Sequence, residues 1–487
     1  DAGNVGTAKT DVDNLSSGGQ TDIRDALDTG LNMIPTGNDR RRVVIFFSDG
    51  EKTDGGDPTE ASFLQQFANN DIRIYSVGFG TKGAEGYAGL DIDLLETLAN
   101  TGDNGFYHVT QEPTGLDKFF VNAVAGAIDS EVVIDPVEDI ADSDTKSVDV
   151  NLSNQASVGV FILTWDNPSA DLSLTLVGPN GTRITASNAG SFGERVGRES
   201  GASYEIMTVH LPLTGGPSQE HGGTWQMEVN NDGGPTVEFS ASAIAESTLR
   251  ADSQQPPKPD DDGFNPGDSV DLNMSLNQQG GNPVGNATVT VTPIEPVVGI
   301  GDLLASGAVT SRDLSGVPTT INGEELSLRE RMIIALQNKL GSNPIPRREG
   351  TPFTLSGSGA DYAGTYTSTG TPGPYTFMVH AEAVAEDCSP VSRESISTVG
   401  VNPNVDPGTS TVVVTTPGDG SHTVTVTPRG SAGNYVGPGY ADTVDITAGS
   451  SALVPVGPVQ DQLNNGRYTR TFNQTAEVGV VPINVVV

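Results

Sequence analysis

The sequence predicts a multidomain protein in which an incomplete, doubly wound α/β unit is followed by three all-β sandwich domains. Three observations point there. The chain of 487 residues is too long for one hydrophobic core. Up to about residue 130, continuous apolar runs alternate with stretches of helical periodicity, the pattern of a parallel sheet covered on both faces. Beyond that point the runs become short, alternating and split by Asn-Gly, Gly-Pro or Gly-Gly, the pattern of antiparallel strands. Glycine (60 residues) and proline (31) are plentiful while aromatics make up only 6%, which suits turn-rich β-domains.

Within residues 1–130, "SSGGQTDIRDALDTGLNMI" is a glycine turn leading into a helix with Ile23, Leu27, Leu31 and Ile34 on one stripe. "RVVIFFSD" (42–49) is apolar without alternation, so it is expected inside a sheet. A helix at 60–70, a strand at 72–80, a helix at 91–102, a strand at 105–110 and a closing helix at 115–128 follow. Residues 131–249 form the first sandwich, with "KSVDVNL", "VGVFILTW", "LSLTLV", "YEIMTVHL", "TWQMEVNN" and "TVEFSASAIAES" as strands. Residues 250–263, containing "QQPPKPDDDG", read as a stiff charged linker. The next β-domain spans 264–400 and holds a helical insert at 323–341, marked by Leu326, Ile333, Leu336 and Leu340 and stopped by Gly341. The last sandwich fills 401–487. The final two domains share a glycine–tyrosine–strand ending, which fits an immunoglobulin-like plan.

Charge and composition exclude several functions. Sixty-two acidic residues against twenty-five basic ones give a net charge of −37, so a nucleic-acid partner is not expected. Divalent cations or a saline exterior suit such a surface. Cys388 is the single cysteine, which rules out an intrachain disulfide and a cysteine-rich metal site. No apolar run reaches the roughly 18 residues of a membrane span, and no signal segment opens the chain. "GFGTKG" (78–83) opens no helix and reads as a loop leaving a strand. The histidines show no zinc spacing, and no G-x-S-x-G elbow occurs, so an enzyme is not expected. The acid clusters at 135–144 and 259–263 lack the calcium-loop pattern and read as solvated junctions, while Trp165 and Trp225 read as core.

One place concentrates ligand chemistry. Asp49 ends the apolar strand 42–49, at the carboxyl edge where open parallel sheets bind ligands. Thr21, in "GGQTD", stands at the mouth of a helix facing the same crevice. A hydroxyl and a carboxylate, with Gly19, Ser48 and Gly50 shaping the loops, make a hard oxygen site for Mg²⁺, Ca²⁺ or Mn²⁺.

In order and spacing, "SSGGQTDIRDAL", "RRVVIFFSDGE", "IRIYSVGFG", "LLETLANTGDNGFYHVT" and the closing amphipathic helix resemble the later part of a von Willebrand factor type A domain. The resemblance implies a metal-ion-dependent adhesion site in which Thr21 is the metal-facing threonine and Asp49 the third-motif aspartate. The family's first metal motif, an aspartate followed by two alternate serines on the first strand, has no counterpart in residues 1–20. Those ligands, and a strand beside "VVIFF", are therefore expected from sequence preceding Asp1. "SVDVNLSNQASVGVFILTWDNPSADLSLTLVGPNGT", "GGTWQMEVNN" and "NPVGNATVTVTPIEP" are similar to the β-sandwich and immunoglobulin-like domains of calcium-activated chloride channel regulators and their microbial relatives. That family's zinc-protease motif, His-Glu-x-x-His, is absent from this chain. The expected function is an extracellular or cell-surface, metal-dependent binding protein whose partner offers an acidic side chain. The alternatives are a self-assembling subunit of a surface layer or filament, and the non-catalytic portion of a secreted protease or channel regulator.

Overall fold

A computed structural model describes residues 10, 14, 22–34, 42–48, 55–79, 91–101, 105–110, 113–128, 130–216, 219–246, 249–259, 263–278, 282–321, 324–340, 345–384, 388–476 and 479–487. It shows a small α/β region followed by a long succession of antiparallel sheets.

The first helix, α1 (Ile23–Met33), starts where the Asp22 carboxylate accepts a hydrogen bond from the Asp25 N–H at 2.9 Å, an N-cap of the usual kind. The strands β1 (Arg42–Ser48), β2 (Ile72–Phe79) and β3 (Phe106–Thr110) pair in parallel in that order. The intervening helices α2 (Ala61–Asn69) and α3 (Ile92–Ala99) join α1 on one face, where Ile23, Leu27, Phe63, Phe67, Ile74 and Leu98 form a core. The closing helix α4 (Pro113–Ala127) covers the other face, packing Phe119 and Ala123 on Tyr75 and Val77. A Cβ on Gly126 would sit 2.3 Å from the Tyr75 hydroxyl, so only glycine lets α4 lie this close to β2. The apolar strand, expected inside a sheet beside a strand from sequence preceding Asp1, lies at an edge of the described sheet. Among the described strands β1 has β2 as its only neighbour, and Ile45 and Phe47 are 42% and 47% exposed. Val44 and Phe46, on the opposite side of the pleat, pack on the α1 face.

The chain then builds a sandwich. One sheet comprises β4 (Glu131–Ile134), β5 (Val137–Ile140), β7 (Val158–Trp165), β10 (Val196–Ser200), β11 (Tyr204–His210) and β13 (Val237–Glu246). The other comprises β6 (Thr145–Leu152), β8 (Leu172–Val177), β9 (Arg183–Ile184) and β12 (Gly223–Asn231). Trp165 and Trp225 belong to the core between them, and the Trp225 indole N–H donates to the His221 carbonyl at 3.0 Å. The acid stretch 135–144 differs from the solvated junction expected of it. Val137–Ile140 is a strand paired with β13, and Asp135 is buried beside it. Its carboxylate accepts from Ser240 at 2.9 Å and Ser242 at 2.5 Å, and Lys118 of α4 lies 3.4 Å away. Burial pushes the Asp135 pKa up against the pull of Lys118. A carboxylate with these partners inside a sheet costs less than an unpaired one, which is why an acidic motif can be structural here.

The expected linker is also corrected. Leu249–Gln254 is a strand, β14, paired along its length with β15 (Val270–Gln278). Its Leu–Arg–Ala–Asp alternation suits a sheet edge with one dry face. The third region continues with β16 (Thr288–Pro296), the helices α5 (Ile300–Ala305) and α6 (Ser311–Leu314), the hairpin β17 (Thr320–Ile321) and β18 (Glu324–Glu325), and α7 (Leu328–Leu340). It closes with β19 (Arg347–Glu349), β20 (Phe353–Ser358), β21 (Asp361–Tyr366), β22 (Gly373–Val384) and β23 (Pro390–Val401). Because β20 pairs with both β21 and β16, its strands form one folded sheet. The helical insert begins earlier than expected, at Ile300. Leu304, Val309, Leu314 and Val317 share a core with Met332, Ile333 and Leu336 of α7. Helices this short carry too few turns for periodicity to reveal them, although the Thr310–Asp313 capping box marks one.

The C-terminal region pairs β24 (Thr411–Thr415), β25 (Ser421–Thr427), β28 (Tyr468–Gln474) and β27 (Leu453–Gln460) in that spatial order, with β26 (Asp445–Ala448) and β29 (Ile483–Val486) as a second sheet. The strand β27 was hidden from the sequence by Pro455 and Pro458, which an edge strand tolerates. Removing one partner of the Lys118–Asp135 pair should be costly: Lys118→Met is expected to destabilise the protein by about 3 kcal/mol, and Lys118→Met with Asp135→Asn by markedly less. Denaturant midpoints of the two variants check this.

Candidate functional site

Of the residues singled out for metal binding, Ser48 is described: it closes β1 at the carboxyl end of the sheet and is 7% exposed. Thr21, Asp49, Gly19 and Gly50 lie outside the described residues, as does Gly341. Asp22 on one side and the residues from Gly55 on the other are described. Because α1 precedes a parallel strand, its N-terminus lies at the carboxyl end of the sheet, the end reached by Ser48. The chain returning from β1 rests on that helix terminus. Gly55, at φ +82°, faces the Asp22 carboxylate so closely that a Cβ would lie 2.1 Å from its Oδ1. The Arg24 guanidinium donates to the Asp57 carbonyl at 2.6 Å, pairs with Glu60 at 3.1 Å and lies 3.7 Å over the Phe63 ring. The Ser62 hydroxyl, and then Arg24, hold the Glu60 carboxyl below its usual range. Hydroxyl and carboxylate oxygens are suitable donors for a hard divalent ion. Among the described residues, no group of three or more His, Cys, Asp or Glu side chains is placed to hold one.

Comparison with known proteins bears on this end of the chain. Residues 1–121 match the von Willebrand factor type A domain. This factor A-like region is about a quarter of the chain. No curated protein matches by sequence. Solved structures with some likeness include a DUF4785 family protein from Legionella pneumophila, at 8% identity and a TM-score of 0.28, covering 72% of this chain and 82% of that one. Another is the propeptide form of the Bacillus licheniformis lipase BlEst2, at 11% identity and 0.28, covering 70% and 63%. A third is FdeC, an Escherichia coli adhesin, at 11% identity and 0.24, covering 72% and 93%. These likenesses assign no activity to this chain.

The opposite edge of the factor A-like sheet holds a group of buried polar residues that sequence reasoning missed. His108 of β3 is 3% exposed, and its Nδ1 lies 2.9 Å from the Thr398 hydroxyl of β23. Gln255 donates to the Thr398 carbonyl at 2.6 Å and to the Tyr107 hydroxyl at 3.2 Å. Lys258 pairs with Asp93 and Glu96 of α3 at 2.7 and 2.8 Å. Thr164 of β7 donates to Asp117 of α4 at 3.0 Å. Arg393 is wholly buried on β23, where desolvation lowers its pKa to about 10 against the pull of Glu131. Glu131 in turn accepts from Arg250 at 3.3 Å and from the Ala251 N–H at 3.2 Å. A cleft of about 420 Å³ remains between these parts, lined by Arg73, Asn122, Glu131, Arg250 and Glu394. Arg73 and Phe106 place it at the amino ends of β2 and β3, away from Ser48. The strand that carries this junction, Pro390–Val401, mixes Ser392, Arg393, Glu394, Ser395, Ser397 and Thr398 with its apolar residues, so its pattern alone does not mark Arg393 as buried.

Burial, with Arg347 and Lys118 nearby, lowers the His108 pKa from 6.5 to about 3. The unfolded chain therefore takes up a proton that the folded one refuses, and stability falls as pH drops from about 6.5 towards 3. Asp117, Glu131 and Asp135, whose pKa values burial raises, act in the opposite sense. They are unchanged in His108→Gln, which should lose this part of the pH dependence while keeping a bond to Thr398. Melting curves of both proteins between pH 7 and 4 check it; parallel pH profiles would contradict the assignment.

Proposed function

We propose that this chain is a metal-dependent adhesion or protein-binding protein of the cell exterior, with the factor A-like region as its recognition unit. The observation that carries the reading is the match of residues 1–121 to the von Willebrand factor type A domain. The convergence of α1 and the end of β1 on one edge of the sheet agrees with it. Thr21 and Asp49 would hold Mg²⁺, Ca²⁺ or Mn²⁺, with Gly19, Ser48 and Gly50 shaping the loops. A bound ion supplies a fixed positive charge with a coordination place for an acidic side chain of the partner protein. The chain binds rather than catalyses, and the β regions hold the recognition unit away from its point of attachment.

The sequence resemblance of the β regions to calcium-activated chloride channel regulators, which the comparisons do not show, suggests a second reading, the non-catalytic portion of a secreted protease or channel regulator. A His-Glu-x-x-His motif encoded ahead of Asp1 in the parent gene is the observation that separates the two.

Calorimetric titration of Mn²⁺ into the longest natural form of the protein tests the metal site. Saturable binding is expected, weakened by Asp49→Ala at least about tenfold, equivalent to about 1.4 kcal/mol. Equal binding by both proteins would remove the metal from the reading.

A further inference from the structure

The strand β24 combines features that sheet edges normally avoid. It is the outer strand of the four-stranded C-terminal sheet and, among the described residues, pairs with β25 alone. Val412 and Val414 stand opposite Val426 and Val424, which are 1% and 0% exposed. Yet Val412 and Val414 are 50% and 52% exposed, because the core built with β26 and β29 takes in β25 and β28 and stops short of β24. On the other side of the pleat, Val413 is 55% exposed. It continues into a face of threonines, where Thr423 and Thr471 approach to 3.1 Å between hydroxyls.

Other edges of this protein carry blocking devices. Pro455, Pro458 and a register shift interrupt β27, the opposite edge of the same sheet. Arg198 and Glu199 lie on β10, and Arg250 and Asp252 on β14. Charge, proline and bulges are the usual means of keeping sheet edges apart. The strand β24 has none of them. Its sequence, Thr-Val-Val-Val-Thr, also reads the same in both directions.

We propose that β24 is a self-association edge, occupied by β24 of a second copy in antiparallel pairing about a two-fold axis at Val413. That register sets Val413 against itself, Val412 against Val414 and Thr411 against Thr415. It pairs the outer backbone groups, brings the uncovered valines of both copies together and joins two four-stranded sheets into one. Charge argues for the same occupant. Two chains of net charge −37 repel, so contact is opposed least at a surface without carboxylates, and salt should strengthen it. A five-residue strand makes a small interface, so the association belongs to high concentration or to copies held side by side. This inference is independent of the metal-binding reading.

Sedimentation equilibrium of the full chain at about 0.2 mM, in low and high salt, tests it. The expected result is a dimer whose dissociation constant falls with added salt, rises at least about tenfold in Val413→Lys and is unchanged in Val456→Lys on the β27 edge. In a Cys388→Ser background, Val413→Cys should oxidise to a disulfide-linked dimer while Val456→Cys stays monomeric. This second arm does not depend on a charged variant folding. A monomer at every salt concentration, a dimer indifferent to Val413→Lys, assemblies larger than two, or cross-linking through Val456 instead would each overturn the proposal.

Discussion

The arrangement of this protein depends on the burial of β23. One side of the strand pairs with β22 over its whole length, while its remaining surface packs on β3, β4, β6 and β14. A single strand thus touches the factor A-like region, the first sandwich and the start of the third region. Arg393, wholly buried in its first half, faces Glu131 from the first strand of the sandwich. Replacing water around a guanidinium and a carboxylate is expensive, so such a pair adds less to stability than to uniqueness: other ways of docking the regions would leave a buried charge without its counter-charge.

This docking has a consequence for recognition. The factor A-like sheet is held at its β3 edge, through His108 and Tyr107, and through α4, whose Asp117 and Lys118 reach into the sandwich. Both attachments lie away from Ser48, which closes the strand on the far edge of the described sheet. A ligand at the carboxyl ends of the strands therefore meets a unit braced from the other side. The contacts that brace it are polar and buried, so they are short and directional.

Charge is distributed by role rather than evenly. Asp135, Glu131 and Asp117 are drawn into the junction, where each finds a cation or a hydroxyl. Other carboxylates cap helices, as Asp22 and Asp91 do, or tie down turns, as Asp461 does by accepting from the Asn465 and Gly466 N–H groups at 3.0 and 2.7 Å. The C-terminal sheet is the contrast. Its threonine-rich face and its β24 edge carry no acid at all, and a neutral surface on so acidic a chain is where repulsion between copies is weakest.

Local pattern was enough to place most elements. The stripe of Ile23 and Leu27, the unbroken apolar run of β1 and the alternation in β6, β7 and β12 each dictate a secondary structure whose dry face is visible in the letters. The expected pairing of Thr21 with Asp49 rests on the sequence motif alone, since both lie outside the described residues. Tertiary structure alone decided the rest. Asp135 looks like a surface residue until Ser240 and Ser242, more than a hundred positions away, supply hydrogen bonds, Arg393 until the distant Glu131 supplies a counter-charge, and residues 250–258 of the expected linker look unattached until β15, Thr398 and α3 take them up. Burial of a polar group is settled by what approaches it from elsewhere in the chain, and no periodicity within ten or twenty residues encodes that.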